Sequence, residues 1–227
     1  VLYKSIEGKV GETMEHEVIS QNSDLSVMPT VGNVVNTSEG RAFEIERLSP
    51  LEEEDNITLD EYRAIVADAK KLDDRNVFVS ESPDLARDKN GAVKLLDFSM
   101  SRNKAKAEKG DTNYSSEALI ASTAYDHLSQ NDKNVVDYEN EIKRKNKLNK
   151  ITNKDTPVET KGFLYSLTAR PFSKGTFPED GFVTLVSEND KKKDGSFGVM
   201  EFKRPLSQRE VDKYELRFNG RDRKSVV

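Results

Sequence analysis

The sequence of 227 residues predicts an α+β fold, because the spacing of its apolar side chains changes twice along the chain. Short runs that alternate apolar and polar residues dominate the first 48 residues, as in strands with one buried face. After Pro50 the apolar residues recur at helical spacing. Beyond residue 160 the composition turns to aromatic residues, Gly and Pro, and strand-like runs return.

The N-terminal part predicts a strand, a short helix and a hairpin, in that order. The run "VLYKSI" alternates as a strand does, and "ETMEHEVISQ" places Met14, Val18 and Ile19 on one helical stripe. The segments "MPTVGNVVN" and "RAFEIERL" are joined by the turn "TSEG", a pattern typical of a β-hairpin.

A long amphipathic helix is predicted next. Thr58 and Glu61 have the spacing of a capping box, in which each residue bonds the backbone amide of the other. The apolar stripe that follows consists of Leu59, Tyr62, Ile65, Val66, Ala69 and Leu72. Two strands, "NVFV" and "AVKLLDF", should follow this helix, with an Asn90-Gly91 turn before the second.

Two polar helices are expected between the second strand and residue 150. The first is "SEALIASTAYDHL" and the second is "NVVDYENEIKRKNKL", whose buried stripe is predicted at Val135, Tyr138 and Ile142. The segment "NKITNKDTPVETKG" then has the composition of a linker.

The last part of the chain predicts a small β-rich module that ends in a helix, "SQREVDKYEL", with Ser207 and Glu210 as its capping box. No catalytic set of residues is recognisable in it, which favours an interaction or scaffold role. Its Arg-Pro-Phe and Arg-Pro-Leu turns and its closing Tyr-Glu-Leu faintly resemble accessory segments of polyvalent proteins from phages and conjugative elements.

Composition excludes several classes of function. The chain has no Cys, so disulfides, thiolate metal sites and cysteine nucleophiles are absent, and its two His residues are better read as surface residues than as ligands. The net charge is −5, and the basic runs lack interleaved aromatic residues, so no nucleic-acid partner is expected. No run reaches the roughly 20 apolar residues of a membrane span. We expect a cytoplasmic protein with a protein substrate or partner.

The order of elements from a strand with Lys4 to the run "VKLLDF" resembles the protein-kinase-like fold. The resemblance implies ATP and Mg²⁺ as cofactors, with Lys4 on the phosphates and Glu15 as its partner, Glu17 being the alternative. Asp97 of "LLDFS" resembles the metal-binding Asp of the DFG motif, and Asn76 resembles the Asn that holds the second metal ion. The polar segment "SESPDLARDK" between these two residues would then be a surface insertion.

The same resemblance implies an adenine site and a catalytic base. Ile45 would be the gatekeeper, and backbone groups of Glu46 and Leu48 would face the base. The H-R-D motif is missing, so Asp73 is the candidate proton acceptor in a shortened loop, with Asp74 or Asp68 next in line. Ser99 replaces the Gly of DFG, and the Gly-rich phosphate loop would lie upstream of Val1.

The sequence is therefore interpreted as a two-lobed, kinase-like domain with a truncated N-lobe and a small C-terminal module. Residues 1–48 would form the remnant N-lobe and hinge, residues 49–150 the helical C-lobe, and residues 151–227 the module. The expected function is Mg²⁺-dependent transfer of the ATP γ-phosphate to a protein hydroxyl. The alternative is a non-catalytic pseudokinase or a mobile-element interaction module that acts by binding protein.

Overall fold

The computed structural model describes residues 2–6, 10–79, 83–96, 100–101, 115–152, 162–170, 172–173, 175–187 and 196–221. These residues form an α+β structure with five helices and four small antiparallel sheets. The chain divides into two compact units, Val1–Leu128 and Ser129–Val227. The expected helical lobe of residues 49–150 is thus shared between both units.

The first unit begins with a three-stranded antiparallel sheet of order β1–β3–β2, with the bounds Leu2–Ser5, Gly40–Ile45 and Val31–Thr37. Helix α1 (Val10–Gln21) lies between β1 and β2 in the chain. Its Val18 and Ile19 are fully buried, as their shared stripe predicts, and so is Phe43 of β3. The alternating pattern of the sequence therefore identified this sheet correctly.

Helix α2 (Leu59–Asp74) begins with the predicted capping box: the Thr58 hydroxyl accepts the amide of Glu61, and the Glu61 carboxylate accepts the amide of Thr58. Its buried positions are Ile65, Asp68, Ala69 and Leu72. Helix α3 (Ser116–Asp126) packs on α2 and buries Ile120 and Ala124. The buried apolar residues of α2 all belong to its predicted stripe, and α2 also buries the charged Asp68.

Two further antiparallel sheets complete the first unit. Their order is β4–β6–β7 in one and β5–β8 in the other, with the bounds Ser49–Pro50, Asp84–Arg87, Val93–Leu96, Phe78–Val79 and Met100–Ser101. Strand β6 lies inside the expected surface insertion, and that expectation was wrong. Leu85 and Ala86 are buried because β6 forms a hairpin with β7 across the Asn90-Gly91 turn.

The second unit contains a four-stranded antiparallel sheet of order β10–β11–β9–β12. Its bounds are Phe182–Ser187, Val199–Phe202, Phe163–Leu167 and Leu216–Arg221. The core is aromatic, with Phe163, Tyr165 and Phe202 almost completely buried. Helix α5 (Gln208–Lys213) has the predicted Ser207–Glu210 capping box. It does not close the module, because Glu215 adopts a positive φ of 54° and the chain continues into β12.

Helix α4 (Gln130–Thr152) also belongs to the second unit and extends into the predicted linker. The three residues of the predicted stripe, Val135, Tyr138 and Ile142, are partly buried, and the fully buried position is the neighbouring Val136. Tyr138 packs edge-on against Phe163 with ring centroids 5.7 Å apart. None of the described helices combines the length and the hydropathy needed to cross a membrane.

Candidate functional site

A pocket of about 420 Å³ opens in the first unit. Its lining includes five residues that the sequence singled out for a cofactor: Lys4, Glu15, Ile45, Glu46 and Leu48. They come from β1, α1 and the end of β3, which the β1–β3 ladder brings together through the pair Leu2 and Ile45. The structure therefore gathers these residues at one site, and the pocket volume is in the range of small-molecule sites.

An ion pair between Lys4 and Glu15 forms the charged part of the pocket. Lys4 Nζ lies 2.9 Å from Glu15 Oε1 and 2.6 Å from Oε2. The side chains retain 34% and 10% exposure, so the Glu15 carboxylate is largely withdrawn from water while the ammonium group is partly accessible. Glu17 is exposed and accepts a bond from Gln21. Glu15 takes the partner position because it shares a helical stripe with the buried Val18.

The end of β3 supplies a backbone edge to the pocket. The Glu46 amide donates to the Thr30 carbonyl at 2.9 Å, and the Glu46 carboxylate accepts the Thr30 amide. Within the described part of the chain, the Glu46 carbonyl and the Leu48 amide have no hydrogen-bond partner. Two lining residues of the pocket thus carry a backbone acceptor and a backbone donor that have no partner among the described residues.

The remaining lining is mostly apolar. It includes Leu95 and Leu96 at the end of β7 and Pro29 before β2. Asp97, the predicted metal ligand, follows Leu96 in the sequence and lies outside the described residues. The pocket therefore combines apolar walls with one ion pair, which suits a ligand that has both a flat apolar part and an anionic part.

Asp73, the candidate base, is bonded to the N-terminus of helix α3. Its carboxylate oxygens accept the backbone amides of Ser116 at 2.7 Å and of Glu117 at 3.1 Å. The first amides of a helix have no intrahelical acceptor and carry partial positive charge, so a carboxylate is stabilised there. Asp74 is exposed. Neither residue lines the pocket described above.

Asn76 ends helix α2 rather than facing the pocket. It has a positive φ of 56° and is exposed. Its amide donates to the Asp73 carbonyl, and the Val77 amide donates to the Leu72 carbonyl. This is the left-handed C-terminal arrangement for which Asn is, after Gly, a favoured residue. Backbone conformation thus accounts for Asn76 without a metal.

Residues 160–220 match a family model described as Defence against restriction A C-terminal. The matched range contains helix α5 and the sheet of the second unit apart from the last residue of β12, and it is loosely consistent with the faint C-terminal resemblance found in the sequence. No curated protein and no solved structure matches the chain. These comparisons do not bear on the pocket, which lies in the first unit.

Asp84 is the residue of this region that the sequence analysis missed. It begins β6 and pairs with Leu96 in the β6–β7 ladder, so it lies opposite the residue that precedes Asp97. In the β5–β8 ladder, by contrast, Phe78 pairs with Ser101 and Val79 with Met100. Asn76 precedes β5 in the chain and Asp97 precedes β8. Because β5 and β8 are antiparallel, the chain enters this ladder from opposite ends at the two residues. Counting outward from a two-residue Asn90-Gly91 turn would have placed Asp84 one position away from the residue that it pairs with in the structure, Leu96.

The two histidines bind backbone carbonyls. His16 Nε2 lies 2.9 Å from the Gly32 oxygen and its ring packs on Phe43, while His127 Nδ1 lies 3.1 Å from the Asp55 oxygen. Across the described residues, no three His, Cys, Asp or Glu side chains are grouped in a way that could hold a metal ion.

Proposed function

We propose that the first unit is a two-lobed, kinase-like domain that binds ATP with Mg²⁺ and transfers the γ-phosphate to a protein hydroxyl. The observation that carries the proposal is the pocket itself. It joins the Lys4–Glu15 ion pair, a backbone edge with a free acceptor and a free donor, and an apolar wall from β7.

The accessible ammonium group of Lys4 supports a nucleotide as the ligand of the pocket. The triphosphate of ATP concentrates negative charge, and its binding needs a fixed cation. Lys4 is held in place by Glu15, and its ammonium group retains access to water. The Glu46 carbonyl can accept the exocyclic amine of adenine, and the Leu48 amide can donate to a ring nitrogen. Ile45 lines the pocket beside this edge and is the proposed gatekeeper.

Asp84 and Asp97 are the proposed Mg²⁺ ligands, with Asp84 in the role first given to Asn76. Mg²⁺ prefers carboxylate, phosphate and water oxygens, and it is usually held by one or two carboxylates together with the substrate phosphates. Asp84 is exposed at the start of β6 and its strand register carries it toward the end of β7. Bound Mg²⁺ would neutralise charge on the phosphates during transfer.

A non-catalytic nucleotide-binding module is the second candidate, because of the contacts of Asp73. Its carboxylate already accepts two amides of α3, and a proton acceptor must be free to receive the substrate hydroxyl. Asp74 is exposed at the end of α2 and is the remaining member of the predicted pair. The two candidates share the pocket and differ only in whether phosphate is transferred.

Thermal unfolding with ATP, with and without Mg²⁺, tests the nucleotide site. Ligand at 100 times its dissociation constant should stabilise the folded state by about 2.7 kcal/mol, and the shift should require the metal. Glu15→Gln and Asp84→Asn should reduce this stabilisation by ATP with Mg²⁺, whereas the matched controls Glu17→Gln and Asp60→Asn should not. If nucleotide at several millimolar gave no metal-dependent shift in the melting temperature, the site would be rejected. A shift without radiolabel transfer to a panel of protein acceptors would favour the non-catalytic module.

The second unit is proposed to serve in defence of a mobile element against restriction, by contact with another protein. The family match over residues 160–220 supports this assignment. The test is transfer of element DNA into a restricting and a non-restricting host. Phe202→Asp, which puts a charge into the core of the second unit, should lower transfer only into the restricting host. Equal transfer of wild type and variant would contradict the assignment.

A further inference from the structure

The connection between α1 and β2 is fastened to helix α2 at a buried carboxylate. Asp68 is 5% exposed. Its Oδ2 accepts the Ser26 amide at 2.7 Å, the Ser26 hydroxyl at 2.6 Å and the Val27 amide at 3.3 Å. Its Oδ1 accepts Lys71 Nζ at 2.9 Å. A buried carboxylate with this many donors fixes the backbone that donates to it.

A guanidinium group fastens the same connection at a second point. Arg75 Nη1 and Nη2 donate to the two carboxylate oxygens of Asp24 at 2.8 and 2.6 Å. Nη1 also donates to the side-chain oxygen of Asn22 at 3.0 Å. Asn22 is 3% exposed and its amide group donates to the Val18 carbonyl. The fork thus joins the C-terminal ends of α1 and α2.

The other side of this connection forms part of the pocket. The Val27 carbonyl accepts the Leu95 amide at 2.8 Å, and the Ser26 carbonyl accepts Lys94 Nζ at 2.8 Å. Pro29 and Leu95 both line the pocket. The residues between Asn22 and Pro29 are therefore bonded to α1, to α2 and to the strand that precedes Asp97.

We infer that Asp68 and Arg75 are positioning residues, which clamp the connection so that Glu15 stays on Lys4 and the β7 wall stays in place. The inference rests on the proposed function of the pocket, and it assigns the control of that pocket to α2. A movement of α1 away from Lys4 that carries this connection with it breaks the Asp68 and Arg75 contacts. When the Asp68 and Arg75 contacts are both formed, the Lys4–Glu15 ion pair forms without any modification of the chain.

The experiment compares Asp68→Asn and Arg75→Lys with the control Lys70→Ala, which changes an exposed residue of the same helix. Asn keeps the shape of Asp68 but loses its charge, and Lys cannot reproduce the bidentate fork of Arg75. Two measurements are made on the complete folded chain: hydrogen exchange of the Leu95 amide, and the rate at which an acylating reagent modifies Lys4. Both rates should rise about tenfold or more in the two variants through local opening, and not in the control.

Affinity for ATP with Mg²⁺ is the third measurement. Displacement of the pocket walls should weaken binding by about tenfold or more, because a loss of about 1.4 kcal/mol of contact energy is already tenfold in affinity. Unchanged Leu95 exchange and Lys4 acylation in folded variants would overturn the clamp, even if their melting temperatures fell. If one variant does not fold, the other decides the result. If wild type binds no nucleotide but both rates rise in the variants, the clamp stands and the proposed function fails.

Discussion

Replacing Asp73 separates its role as a helix cap from its candidate role as a catalytic base. Asp73→Ala removes the acceptor of the Ser116 and Glu117 amides at the start of α3. Losing such a cap typically costs about 0.5–2 kcal/mol. Ser115 still accepts the Ala118 amide, so part of the helix start remains satisfied. We therefore expect a loss of about 1–2 kcal/mol in the free energy of unfolding of the first unit.

Urea unfolding followed by circular dichroism measures this loss, and hydrogen exchange of the Ser116 and Glu117 amides locates it. Asp74→Ala is the matched control, because Asp74 is exposed on the adjacent position and such surface changes stay within about 0.5 kcal/mol. Asp73→Asn should give an intermediate loss in the free energy of unfolding, since the side-chain oxygen of Asn can still accept one backbone amide of α3. Asp73→Ala with unchanged stability and unchanged exchange, but without phosphate transfer, would refute the capping role and restore Asp73 as the base.

Two further predictions concern groups whose pKa values are shifted. Burial raises the pKa of Tyr165 to about 12, and its hydroxyl oxygen accepts the Leu206 amide at 2.8 Å, so Tyr165→Phe should leave that buried amide unpaired. Urea unfolding should show a loss of about 1–3 kcal/mol for Tyr165→Phe and little for Tyr214→Phe, and equal losses would contradict the bond. Hydrogen bonds from Arg75 lower the pKa of Asp24 from 3.8 to about 2, so the stability that Asp24 adds is present above pH 4 and lost toward pH 2. The melting temperatures of wild type and Asp24→Asn should therefore converge over that range, and a constant gap would show that the charge of Asp24 is not responsible.

Local chemistry explains which parts of the fold could be predicted from sequence. The capping boxes of Thr58 with Glu61 and of Ser207 with Glu210 depend on residues three apart, and both form as predicted. The hairpin β2–β3 depends on alternation and a turn, and it also forms. Val135 and Val136 are both apolar, so spacing alone could not decide which of them is buried.

Long-range pairing explains what could not be predicted. Strand β12 follows a short helix and pairs with β9, about 50 residues earlier, through Leu216 opposite Leu167. Strand β6 lies in a polar segment and is recognisable only through its partner β7. Asn76 carried a local signal, since Asn commonly ends helices in the left-handed conformation, but the kinase resemblance favoured a ligand role over it.

The proposed nucleotide site and the proposed catalysis depend on different parts of the first unit. Lys4 and Glu15, on β1 and α1, meet through a part-buried ion pair, and the end of β3 supplies the free backbone groups. Phosphate transfer also needs a proton acceptor, and the two predicted candidates lie at the end of α2, where Asp73 is bonded to α3. A pocket that contains the ion pair and the backbone edge can thus exist without a free base. Because the Asp73 carboxylate is held at the start of α3 by the Ser116 and Glu117 amides, the exchange protection of these two amides in the presence of Mg²⁺, ATP and acceptor shows whether Asp73 leaves the helix during turnover, as an enzyme with this base would require and a binding module would not.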